Sequence, residues 1–127
     1  MKITACIKDK KIIVQKGDFA IVKARSMDKN AFAQVYDRTE LTLIIEQSFL
    51  IKSNIIEIEN ELKILTFDIK SDIHGILSEI TSLLSAEQIS IFVLSSFTAD
   101  HVIVRKKDFN TAINKFKDFG FEIVHSI

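Results

Sequence analysis

GILSEITSLLSAEQISIFVLSSFTADHVIVRKKDFNTAINKFKDFG, residues 75–120, is the stretch on which the fold turns. Its opening places Ile76, Leu77, Ile80, Leu83 and Leu84 on one face of an amphipathic helix. Ser71 or Asp72, just upstream, can cap that helix by accepting its free backbone N–H groups. ISIFVLSSF (89–97) and HVIVR (101–105) are rich in β-branched and aromatic residues and read as two strands. Between them Ser95, Ser96, Thr98 and Asp100 form a polar knot at a turn. KDFNTAINKFKDFG then sets Phe109, Ala112, Ile113, Phe116 and Phe119 on one face of a second helix, with Gly120 as its stop.

Outward from this core, ELKILTFDI (61–69) reads as a strand and KSDIHG (70–75) as a loop. FEIVHSI (121–127) alternates Phe121, Ile123, His125 and Ile127 and reads as a closing strand. The order β-α-β-β-α-β predicts an α+β, ferredoxin-like unit with both helices on one face of its sheet. Upstream, KITACI, KIIVQ and DFAIVKA read as three strands, the first two joined by KDK, and FAQVY and LTLIIEQ as a further pair joined by DRTE. SMDKN (26–30) is too short for a stable helix. The acidic patch IEIENEL (56–62) is the nearest thing to a boundary. We therefore expect a truncated, β-rich half over residues 1–60 and a complete unit over 61–127.

The bulk composition narrows the function classes. The chain has 127 residues, 47% hydrophobic, which is enough for a core without staples. Lys plus Arg and Asp plus Glu are 17 each, so charge gives no case for nucleic acid or an anionic membrane. The early lysines, Lys2, Lys8, Lys10, Lys11 and Lys16, are broken by Asp9 and read as a solvated strand face. Cys6 is the single cysteine, which excludes an internal disulfide and suits a reducing compartment. ITAC near the start lacks the apolar segment of a signal peptide, and no run is long enough to span a membrane. The expectation is a cytoplasmic protein.

Catalytic chemistry finds no motif. His74, His101, His125 and Cys6 lack metal-site spacing, so neither a metal nor a cofactor is expected. Arg25, Arg38 and Arg105 sit in no Gly-rich loop, and no Ser-His-Asp or phosphate-loop pattern occurs; no enzyme is expected. The ten Phe fall largely at core periodicity, and the ribonucleoprotein signature is absent.

The run from ELKILTFDI to FGFEI resembles an ACT domain, and more narrowly the ACT repeats of the CASTOR-like family of amino-acid-binding regulatory proteins. The residues that carry the resemblance are Gly75 at a helix start, Ile89 to Phe92, the turn Ser95-Ser96-Phe97, Asp100, and Asp108 opening the second helix. GDFAIVKA and DRTELTLIIE, with Glu40 before its strand, resemble the family's weaker N-terminal repeat. Three positions depart from the pattern: Ser96 replaces threonine, His101 replaces tyrosine and Asp37 replaces threonine.

The resemblance implies a non-catalytic regulator that holds a free amino acid between ACT-like units. It also implies a homodimer whose output passes through the oligomer or a partner. The site it implies comprises Asp72, His74, Gly75, Ile76, Ser95, Ser96, Phe97 and Asp100. A ligand carboxylate would take N–H donors at a helix start. Gly75, lacking a Cβ, would let it approach the backbone. The ligand ammonium would need a carboxylate such as Asp100 or Asp72, and the serine hydroxyls can donate and accept. The same serines and Asp100 are also what a hairpin turn uses, and Asp72 is also a helix cap. The alternative is therefore a ligand-free interaction module on the same fold.

Overall fold

The computed structural model describes residues 11–67 and 76–127. Its strands are β1 (Lys11–Val14), β2 (Phe19–Ala24), β3 (Ala33–Tyr36), β4 (Leu41–Glu46), β5 (Ile55–Phe67), β6 (Ile91–Ser95), β7 (Asp100–Arg105) and β8 (Glu122–His125). Its α-helices are α1 (Ile76–Ser85) and α2 (Phe109–Asp118). KITACI, expected as the first strand, lies outside the described residues. Two units form: Gly17–Leu62 is one, and the described residues up to Lys16 and from Lys63 onward are the other.

The helical unit follows the βαββαβ order β5-α1-β6-β7-α2-β8, so the α+β, ferredoxin-like expectation holds. Its pairings run β8–β1–β5–β7–β6. β1 is interposed between β5 and β8: antiparallel to β5 with Ile12 opposite Phe67, and parallel to β8 with Ile12 opposite Ile123. Sequence reading assigned KIIVQ to the first half; here it completes the sheet of the second.

Strand alternation and helix periodicity converge on one core. Ile12, Val14, Leu65, Phe67, Val102 and Val104 pack with Ile80 and Leu84 of α1 and Ala112, Ile113 and Phe116 of α2. Phe67, Phe116 and Phe121 form an edge-to-face triad, with ring centroids 5.1, 5.4 and 5.6 Å apart. Both helices stop in the same way. Ile89 N–H bonds Leu84 O and Gln88 N–H bonds Ser85 O; Phe121 N–H bonds Phe116 O and Gly120 N–H bonds Lys117 O. This hydrogen-bond pair needs a left-handed residue, supplied by Gly120 (φ 108°) as the sequence suggests and by Gln88 (φ 57°) at the other helix.

The Gly17–Leu62 unit pairs its strands as β3–β4–β2–β5. No α-helix occurs in it: a loop joins β2 to β3, and two 3-10 turns, Gln47–Phe49 and Lys52–Asn54, lead from β4 to β5. Ala20, Val22, Ala24, Leu43 and Ile45 form its core, with Ala31, Leu41, Leu50 and Ile55 packed against them. The IEIENEL patch, the nearest thing to a boundary in the sequence, ends at Leu62, where the units divide, and lies within a strand. It is the first part of β5, paired with β2 from Ile55 opposite Ala24 to Leu62 opposite Phe19. The β-period alternation of Ile56 and Ile58 with Glu57 and Glu59 accounts for it. Glu61 takes a left-handed conformation (φ 57°) near a register shift, and its N–H donates to Gln47 Oε1 at 2.6 Å.

Candidate functional site

The β6–β7 hairpin ends in the cross-strand pair Ser95–Asp100, and Ser96 N–H closes the turn on Ala99 O at 2.9 Å. Opposed residues on one sheet face bring their side chains together. Accordingly Ser95 Oγ donates to Asp100 Oδ1 at 2.6 Å, a charge-assisted bond. Ser96 Oγ donates to Ala99 O at 3.2 Å. Phe97 stands at the tip, 93% exposed. Among the described residues β6 pairs with β7 alone and stands at an edge, with Phe92 and Val93 partly open to solvent rather than in a core.

The knot continues down the sheet. Thr66 lies between Leu65 and Phe67, and His101 beside Val102; those neighbours face the helices, so Thr66 and His101 point to the other face. His101 Nδ1 is 2.8 Å from Thr66 Oγ1, and Gln15 Nε2 donates to the same oxygen at 2.9 Å. His101 Nε2 lies 3.4 Å from Ser96 Oγ. Donor chemistry orders this chain. Gln15 donates to Thr66, so the Thr66 hydroxyl proton is free to go to His101 Nδ1. Nδ1 then accepts, Nε2 carries the proton toward Ser96, and Ser96 passes its own to Ala99 O. Burial pulls the His101 pKa below its ordinary value, partly offset by the Asp100 carboxylate, which agrees with a neutral ring.

Of the residues expected at a site, Ser95, Ser96 and Asp100 are brought together at the turn and Phe97 caps it. Asp72, His74 and Gly75 lie outside the described residues, as does the side chain of Ile76. Gln15, Thr66 and His101 were not expected to join the knot. Gln15 and Thr66 give no sequence signal, because they meet only when β1 packs beside β5. His101 has the one legible cue, its alternation with Val102. At the β3–β4 turn, Asp37 accepts the Thr39 and Glu40 N–H groups at 3.0 and 2.9 Å. The Glu40 and Thr39 donors hold its carboxyl below the usual range. Glu40 itself lies 3.8 Å from Lys23 Nζ. Among the described residues no group of three or more His, Cys, Asp or Glu is placed to hold a metal ion, and no helix is long and apolar enough to cross a membrane.

Residues 57–118 match the family model of the ACT domain, which takes in the latter part of β5, both strands of the hairpin and both helices. No curated protein sequence matches the chain. Among solved structures, a protein of Agrobacterium tumefaciens is 19% identical, with 94% of this chain and 95% of that one covered at a TM-score of 0.79. The ligand-free regulatory subunit of aspartate kinase from Thermus thermophilus is 8% identical, covering 87% and 96% at 0.64. Aspartokinase III of E. coli, in complex with aspartate and ADP, is 12% identical, covering 85% of this chain and 32% of that one at 0.64. At such identities the likeness is one of fold.

Proposed function

We propose that this chain, whose residues 57–118 match an ACT domain, is a non-catalytic regulatory protein of the CASTOR-like kind that binds a free amino acid. The observation that carries the reading is this match, together with the fold shared with an aspartate kinase regulatory subunit and with an aspartokinase captured with aspartate. The ligand is held at the hairpin edge. Its ammonium pairs with the Asp100 oxygen that Ser95 does not use, and its carboxylate takes the N–H donors around Asp72, His74, Gly75 and Ile76. Ser96 and Phe97 line the same edge. The protein acts in the cytoplasm as a homodimer through the open edge of β6, where Phe92 and Val93 are exposed, and the ligand biases that pairing.

Thermal unfolding against the free amino acids at millimolar concentration tests this. A ligand at 100 times its Kd adds about 2.7 kcal/mol, a shift on the order of 5 °C for a domain of this size. One amino acid should give that shift in the native protein, and Asp100→Asn should abolish it while leaving the circular dichroism unchanged. A flat response across all the amino acids would reject the ligand-binding reading. The bonds Ser95–Asp100 and Ser96–Ala99, which satisfy the turn internally, favour the second reading, an interaction module that dimerises without ligand.

A further inference from the structure

The polar seam below the hairpin lies wholly within the helical unit and crosses its sheet. Strand register sets Val124, Ile13 and Thr66 side by side on β8, β1 and β5, and Leu94 beside His101 on β6 and β7. The Thr66 Oγ1–His101 Nδ1 bond of 2.8 Å joins the two sets into one row on the face away from the helices. The row is apolar except at its centre, where Thr66 is buried and His101 partly buried. The hydrogen bonds at that centre run one way. Gln15 gives an amide proton to Thr66, and Thr66 gives its own to the ring.

A ring protonated at both nitrogens has no lone pair for Thr66. For Thr66 to accept from it instead, the hydroxyl must turn and strand its own proton at a residue only 6% exposed. The described partners of the ring are neutral: Thr66 from β5, with Gln15 behind it, and Ser96 from the turn, while Leu94 of β6 lies opposite. Charge comes from Asp100, the preceding residue on β7. Burial disfavours the protonated ring, as does the Thr66 donor, and the Asp100 carboxylate favours it.

We propose that His101 is a proton-operated latch on the hairpin. With the ring neutral, β7 is tied through Thr66 to Gln15, and the turn is held at Ser96. When the ring takes a proton, Thr66 is lost as a donor partner, the turn loosens from the seam, and the new charge is drawn to Asp100. Asp100 is the carboxylate assigned above to a ligand ammonium. A proton on His101 and an ammonium on Asp100 therefore oppose each other, and by linkage each weakens the other's binding. This coupling rests on the hairpin reading; the latch does not.

The test is an NMR titration of the full-length ¹⁵N-labelled protein from about pH 8 to about pH 5. The Ser96 amide and the Gln15 side-chain amide should move together with the His101 ring, with one midpoint below 6.5, and stay still in His101→Gln. Thr66→Val should raise that midpoint, because the donor to the neutral ring is gone, and Thr66→Ser should restore it. Asp100→Asn should lower it. A midpoint unchanged in Thr66→Val, or amides that titrate equally in His101→Gln, would overturn the latch. The unfolding panel of free amino acids, repeated at about pH 7.5 and about pH 5.5, tests the coupling. An amino acid that stabilises the protein at the higher pH should lose most of that shift at the lower one and keep it in His101→Gln. Equal loss in both proteins would overturn the coupling. A flat panel at both pH values would take the hairpin ligand and its coupling down together, while the titration still decides the latch.

Discussion

The two units thread their strands in the same order and cover them in different ways. Counted from β2 in the Gly17–Leu62 unit and from β5 in the helical one, each pairs second with third and third with first. In the Gly17–Leu62 unit the first then meets the fourth directly, whereas in the helical unit β1 stands between them. The strands of one unit are covered by two ten-residue helices, those of the other by a loop and 3-10 turns. The strand residues match the cover. Under the helices lie Leu65, Phe67 and Val104; under the loops, β2 offers Ala20, Val22 and Ala24. A helix stands off a sheet and needs bulk to fill the gap, while a loop lies closer and needs small residues. Strand pairing thus carries this topology, and the helices set how much apolar surface each unit buries.

If that difference is one of core volume, truncation should hurt the units unequally. Phe116→Ala, which empties the fully buried centre of the Phe triad, should cost about 3–5 kcal/mol. Leu50→Ala, at the thinner cover of the other unit, should cost under about 2 kcal/mol. Urea unfolding of the two variants measures both, and equal losses would break the comparison. Next comes Gly17, where the Gly17–Leu62 unit begins. Its φ is 102°, and an added Cβ would stand 2.8 Å from Glu46 Oε1. Gly17→Ala should cost about 1–3 kcal/mol, and adding Glu46→Ala should recover only the steric part, leaving the backbone strain.

The paired helix stops sharpen the picture within one unit. Gly120→Ala should lose about 1 kcal/mol, whereas Gln88→Gly should gain about 0.5–1 kcal/mol, because both positions are left-handed and only one holds the residue that tolerates it. The smallest effect expected is that of pH on His101. Its folded pKa is depressed below the ordinary 6.5, so the unfolded chain takes up the proton first. The stability it contributes is complete above that value and declines as pH falls from there to the depressed value. Below that value no further loss comes from this group. A protonated Nδ1 can no longer accept from Thr66. Unfolding of His101→Gln between pH 7 and 5 should therefore show a flatter slope than the native protein; an identical slope would remove His101 from the account.

What was legible in the sequence divides along the same line. The helical unit could be read nearly residue by residue, since Phe109, Ala112, Ile113 and Phe116 mark a helical face and Gly120 its end. Gln88 gave no comparable sign, because nothing in its chemistry marks a left-handed residue. The patch at 56–62, the nearest thing to a boundary in the sequence, ends at Leu62, where the two units divide, but its charge masks a strand alternation that is exposed on both faces of β5. The company kept by KIIVQ was not legible at all, for that pairing is decided by residues far along the chain. At the turn, Ser95, Ser96 and Asp100 were recognisable as a polar cluster, yet their link to Gln15 and Thr66 depends on three strands lying side by side.

The parallel pairing of β1 with β8 sets an order of events. Lys11 lies opposite Glu122, a separation of 111 residues (122 − 11), and Ser126 N–H bonds Val14 O. During synthesis β1 emerges first and β5 can pair with it long before β8 exists. One edge of β1 therefore waits unsatisfied until Glu122–His125 are available. Loop closure over such a span is slow, so this ladder is the step that should limit the folding rate and the edge that a stalled chain leaves open to association.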